Sequence, residues 1–210
     1  MTSLPHRFSL LQRLLHWLMA ACIIAMLFIG VGMVSTVTPK YLPLIALHKT
    51  LGVTLFVLVL VRLALRLYYG VPPLPADLPA PVKLGARLSH LALYGLMIVM
   101  PLLGLAMLWA ADYPVVLYGG IQIPPLLPQS DSLHTLLWNF HFYLGFAFFA
   151  LVLLHVGAGL FHALIRRDGV FGTMAPLLLT DRVTPAERDR RRPTCVQTGK
   201  TGRARTARTS

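Results

Sequence analysis

Acidic residues are scarce in this 210-residue chain, which carries only 7 Asp and Glu. Charged residues of both signs reach 12%, about half the share of an ordinary soluble domain, so water is not the main solvent of the fold. No carboxylate falls inside a long apolar stretch, and an acid relay of the kind proton and metal transporters use therefore lacks its residues. Cysteine is nearly absent as well. Cys22 and Cys195 sit in an apolar run and in a basic tail, where they cannot meet, and no Cys-x-x-Cys-His attachment motif occurs. The first apolar run is followed by no small-residue cleavage site and carries His16 and Trp17 early. It reads as a membrane helix and not as a removable signal peptide.

What the chain has is apolar length. Hydrophobic residues make up 56%. Four runs, near Leu10 to Val34, Leu42 to Leu67, Leu84 to Trp109 and Leu133 to Ile165, each exceed the roughly 20 residues of helix that cross a bilayer. Joined by connectors of moderate length, they predict an all-α integral membrane four-helix bundle. The connector from Tyr69 to Pro81 holds Pro72, Pro73, Pro75, Pro79 and Pro81 and reads as a stiff extended link. The one from Ala110 to Ser132 has no basic residue.

The formal net charge of +12 has to be read side by side. Arg7, Arg13, Arg62, Arg66, Lys83, Arg87, Arg166, Arg167 and the tail gather on one side, against Lys40 and Lys49 on the other. By the positive-inside rule both termini are cytoplasmic, and nucleic acid is not the expected partner. After Thr180 the chain becomes Arg-, Thr- and Pro-rich, too poor in apolar residues to offset its ordering entropy. The expected organisation is a four-span domain over residues 1–176 and a disordered basic cytoplasmic tail over 177–210. That tail either attracts anionic membrane lipid, at about 1 kcal/mol per cation near the surface, or is a plain solvated topology signal.

Ionisable side chains at membrane depth are costly and mark function. Of the eight histidines, His6 and His134 lie near span ends and read as interfacial. Depth sorts the others, because antiparallel helices bring together only residues at the same distance from the same face. His16, early in the first span, falls on the cytoplasmic side; His48, early in the returning span, falls outside. The fourth span carries His141 early and His155 fourteen residues later, a rise of roughly 21 Å over nearly four turns. Both therefore project from one helix face. The pairs that follow are His48 with His141 on the outer level and His16 with His155 on the cytoplasmic level.

Four residues after these histidines stand Ala20, Gly52, Gly145 and Gly159, which leave room for a flat macrocycle or a close helix contact. After His6, His90, His134 and His162 stand Leu10, Tyr94, Trp138 and Arg166. Two axial imidazoles fill a haem iron, whereas zinc wants about four ligands. Two haems b are the expected cofactors, with His16, His48, His141 and His155 as iron ligands.

The segments Leu14-Leu15-His16-Trp17, His48-Lys49-Thr50-Leu51-Gly52, Arg62-Leu63, His90-Leu91-Ala92-Leu93-Tyr94, Pro101-Leu102-Leu103-Gly104 and His141 through His162 come in an order and spacing that resembles the bacterial cytochrome b561 family. That family is similar in fold to the cytochrome b subunits of nickel hydrogenase and formate dehydrogenase. The likeness runs from about Leu10 to Pro176 and departs at Thr173, where related chains often carry a basic residue. It implies two haems b on the same four histidines, quinone-linked electron transfer and a place in the bacterial inner membrane.

The remaining candidates each take two readings. His90 and His162 contact a haem propionate or a quinone, or else cap the membrane interface. Arg62 and Arg66 snorkel to the interface, or pair with propionates as charge-assisted donors. Arg13 and Arg87 belong to the same cytoplasmic group of donors for quinone oxygens. Lys49 either raises the local potential and attracts a small anionic donor or is a surface lysine. The function these readings support is a membrane di-haem cytochrome b, an oxidoreductase moving electrons between a donor and quinone; the resemblance implies superoxide or a redox partner protein as that donor. The alternatives are a haem-binding anchor subunit of a hydrogenase-like or dehydrogenase complex, and a histidine-lined metal or proton transporter.

Overall fold

The computed structural model describes residues 7–35 and 41–175; His6, Lys40 and the basic tail lie outside the described residues. Each apolar run becomes one long helix: α1 Leu10–Ser35, α2 Tyr41–Tyr69, α3 Ala80–Ala110 and α4 Asp131–Leu160. α4 continues as a π-helical turn, Phe161–Arg166, and a short helix α5, Val170–Met174, follows. The four spans are long and apolar enough to cross a membrane. Their outward side chains are apolar too, with Leu91 70% and Leu154 66% exposed. Hydrocarbon, not water, suits such a surface.

The helices outrun the apolar runs by about a turn or less, and local chemistry explains where. α3 starts at Ala80, so Pro81 lies in its first turn and not in the extended link expected from sequence. A proline there forfeits no helix hydrogen bond. α4 starts at Asp131 because the Ser130 side chain accepts from the Leu133 N–H, a standard N-cap. The connector before it also departs from an all-α reading. Val115–Val116 (β1) pairs antiparallel with Gln122–Ile123 (β2), turning at Gly119 and Gly120, both at positive φ, where glycine alone is unstrained. This hairpin is seated on α2 by the Tyr118 N–H, which donates to Thr50 Oγ1 at 3.0 Å.

The bundle runs up and down, with α1 against α2, α2 against α3 and α3 against α4, while α1 and α4 touch only sparsely. Leu15 and Met19 of α1 and Val59 of α2 make its packed centre, with Tyr94 and Met97 of α3 laid against them. His134 joins the α3–α4 corner through Nδ1, 3.0 Å from the Met107 carbonyl.

At the opposite end the chain doubles back onto α1. Asp168 Oδ2 accepts from His162 Nδ1 and forms an ion pair with Arg166 Nε, both at 2.7 Å. Its Oδ1 accepts from the Val170 N–H that opens α5. The segment is then strapped to α1: the Phe8 N–H donates to the Thr173 carbonyl, Trp17 Nε1 to the Met174 carbonyl at 2.9 Å, and Arg13 Nε to the Ala175 carbonyl at 2.9 Å.

Burial alone would push the Asp168 carboxyl up, but the His162 hydrogen bond, the Val170 amide and Arg166 outweigh it and hold the group below the usual carboxylate range. A carboxyl so held contributes stability above its unfolded value, about pH 4, and loses it as pH falls through the folded value. Asp168→Asn is expected to destabilise the solubilised protein at pH 7 by on the order of 1 kcal/mol. The gap to the parent protein should close below about pH 4. A gap that persists at low pH in thermal unfolding would show that the carboxylate charge does not hold this segment.

Candidate functional site

α4 sets the spacing of the site. His141 and His155 lie on it fourteen residues apart, roughly 21 Å along the axis, and each meets an imidazole from another helix. On the hairpin side, the His48 and His141 rings face each other with centres 6.0 Å apart and planes at 69°. On the α5 side, the His16 and His155 rings stand 6.4 Å apart at 80°. Phe28 of α1 and Phe149 of α4 meet edge to face at 6.2 Å; both lie along their helices between the two levels.

The hairpin-side rings are held by packing. Nδ1 of His48 and of His141 are buried without a hydrogen-bond partner, and the Met100 carbonyl approaches the His141 ring outside hydrogen-bond geometry. A Cβ at Gly104 would stand 3.3 Å from His141 Cε1, tighter than ordinary contact, so α3 passes directly behind that ring and a side chain there would have to displace it by a few tenths of an ångström. A Cβ at Gly30 would stand 3.8 Å from His48 Cε1, an ordinary contact. Of the small residues four after each histidine, Gly52 meets the end of Met26 and Gly145 the end of Met100, while Gly159 faces open space. Methionine is unbranched and adaptable, so these volumes can be vacated for a flat ligand without moving a helix.

The α5-side level holds more than a pair. His90 of α3 brings its ring to 5.7 Å from that of His155, and Arg62 shares the electrostatic neighbourhood of His16, His90 and His155. Arg62 is fixed by donating from Nε to Tyr94 Oη at 3.2 Å and from Nη1 to the Gln12 carbonyl at 3.1 Å. Gln12 is itself buried and donates to the carbonyls of Leu65 and Gly70. Sequence reasoning passed over Gln12, although a glutamine within an apolar run, one turn before His16, was a readable sign.

Other sequence candidates go elsewhere. His162 turns to Asp168, Arg13 is buried against the Ala175 carbonyl, and Arg87 is exposed. Lys49 is half-buried next to His48 in the chain. Among the described residues no three His, Cys, Asp or Glu side chains converge on one metal. The arrangement can instead hold a metal that takes one imidazole from each side and its remaining ligands from a planar molecule.

The profile of the family described as prokaryotic cytochrome b561 matches residues 7–176. Cytochrome b561 homolog 2 of Escherichia coli strain K12 is 28% identical over 176 residues, covering 82% of this chain and 93% of that protein. Homolog 1 of the same organism is 28% identical over 179 residues, 81% of this chain and 98% of its own length. The probable superoxide oxidase CybB of Yersinia pestis is 26% identical over 172 residues, with 81% and 96% covered. A family match over both histidine levels and all four spans identifies the chain: it belongs to the prokaryotic cytochrome b561 family, as a bacterial membrane cytochrome that binds haem b.

Proposed function

We propose that the protein is a di-haem electron carrier of the inner membrane, passing electrons from a small anionic donor on the hairpin side to quinone on the α5 side, with both termini cytoplasmic. The spacing of the facing rings carries this reading. Two imidazoles on opposite sides of one metal stand roughly 6 Å apart between centres, since each metal–nitrogen bond is about 2.0 Å and each ring adds its own radius. The two pairs stand at 6.0 and 6.4 Å. In this reading His48 and His141 would hold one haem and His16 and His155 the other. The residues fit the group: Nδ1 of His48 and of His141 is buried with no hydrogen-bond partner, and small or yielding side chains stand beside the rings.

When bound, haem b supplies reversible one-electron iron chemistry. The chain's part is to orient the imidazoles and to set the potential around them. Gly104 lets α3 press on His141, which fixes the ring in place of a hydrogen bond. Arg62, held by Tyr94 and Gln12, puts a cation beside His16 and His155, which favours arrival of an electron at that level. His90 stands at the same level, where an imidazole can donate to a quinone oxygen and relay a proton. A relative bears the name probable superoxide oxidase. Superoxide is a small anion, and Lys49 beside His48 supplies a cation to draw one to the hairpin side.

The purified protein is expected to carry two haems b. His48→Ala, His141→Ala and Gly104→Val should each remove one of them, and His16→Ala or His155→Ala the other, as read by pyridine haemochrome. A single haem in the parent protein overturns the two-site reading. His90→Ala should slow reduction by quinol roughly a hundredfold with both haem spectra intact. If Lys49→Ala slows quinol and His90→Ala does not, quinone belongs on the hairpin side. A periplasm-active reporter should be silent after Pro176 and active within residues 117–121; the reverse pattern inverts the orientation.

A further inference from the structure

Among the described residues, the two carboxylates on the α5 side are each paired with a cation other than Arg62 and Arg66. Four acids fall among the described residues, and two of them, Asp112 and Asp131, flank the hairpin connector. Asp77 Oδ2 accepts from Arg166 Nη2 at 2.6 Å, and Asp168 accepts from His162 and pairs with Arg166. Arg62 and Arg66 therefore have no carboxylate partner among the described residues. They stand one turn apart on one face of α2, a spacing at which like charges repel.

Both guanidiniums are nevertheless held in place. Arg62 donates to Tyr94 Oη and to the Gln12 carbonyl, and Arg66 lies over the Tyr94 ring, 5.5 Å from its centre, a cation–π contact. Together with Phe8, Gln12 and Tyr94 they line a small recess where α1, α2 and α3 meet. Its depth in the membrane can be read from its neighbours. Arg66 is in the last turn of α2, followed by Tyr68 and Tyr69, 82% and 44% exposed. Aromatic residues so placed mark the headgroup level.

We propose that this recess binds the phosphate of an anionic phospholipid, bridged between Arg62 and Arg66. Guanidinium is a donor-only group whose planar fork matches phosphate oxygens, and basic pockets between helices at this level suit anionic headgroups. Lipid is favoured over free phosphate by what surrounds the mouth: Phe8 lines it, and Leu67, the next residue after Arg66, is 77% exposed, so acyl chains have apolar surface to lie on. The site stands independently of where quinone binds. It has a redox consequence, since a phosphate on Arg62 reduces the positive potential felt at His16, His90 and His155.

The test uses the full-length haem-loaded protein in nanodiscs of phosphatidylcholine with a minor fraction of phosphatidylglycerol, with retained lipid counted by native mass spectrometry. The parent protein should retain one phosphatidylglycerol per chain. Arg66→Gln should weaken retention about fivefold, the factor that corresponds to about 1 kcal/mol per interfacial cation, and Arg66→Lys should keep most of it. Haem content and thermal midpoint, measured alongside, should match the parent. Equal retention by Arg66→Gln overturns the proposal. Displacement of the lipid by millimolar inorganic phosphate makes this a free-phosphate site and overturns the lipid assignment. If Arg66→Gln leaves lipid unchanged but alters haem retention, the guanidiniums serve a propionate instead.

Discussion

An imidazole at membrane depth needs a partner, because hydrocarbon offers none, and the bundle is arranged around that need. α4 answers it twice. With two histidines on one face nearly four turns apart, it presents a ring to each of two levels, and the antiparallel course of α1 and α2 brings His16 to one level and His48 to the other. Most other features are consequences. α1 and α4 touch sparsely yet share a histidine pair. α3 needs Gly104 because it passes behind a ring that has to keep its position.

The two levels are built differently. At the hairpin side the rings are confined by apolar packing, and their Nδ1 atoms have no polar partner. At the α5 side a third imidazole, two arginines, a tyrosine hydroxyl and a buried glutamine crowd one region. A low-polarity pair and a strongly polar one differ in how readily each accepts charge, since fixed dipoles and cations stabilise added negative charge while a dry apolar wall does not. The bundle is thus electrically lopsided along its axis.

The four spans were legible in the sequence because each is one uninterrupted apolar run, and the meeting of His16 with His155 and His48 with His141 was legible because depth and helical phase are fixed by counting. What counting cannot supply is the rotation of one helix against another. Depth puts His90 of α3 on the α5 side, but whether its ring turns inward depends on how α3 is rotated, and the packing of α3 on α4 is what brings it to His155. The Asp168 contacts were hidden for a similar reason: the π-helical turn and the left-handed residue Arg167 (φ 52°) redirect the chain just where an α-helical count would place His162 on the His155 face. The hairpin was hidden because strands of two residues carry no alternation to read.

The hairpin is small, but its point of attachment is Thr50, two residues after His48. A contact there ties a water-side loop to the backbone segment that carries a membrane-depth ring. Loops tolerate insertion and exchange far better than packed spans do, so sequence drift in residues 117–121 can be transmitted to the tilt of an imidazole without any change in the helices. Selection thus has a fine adjustment on the outside of the membrane for a property set within it.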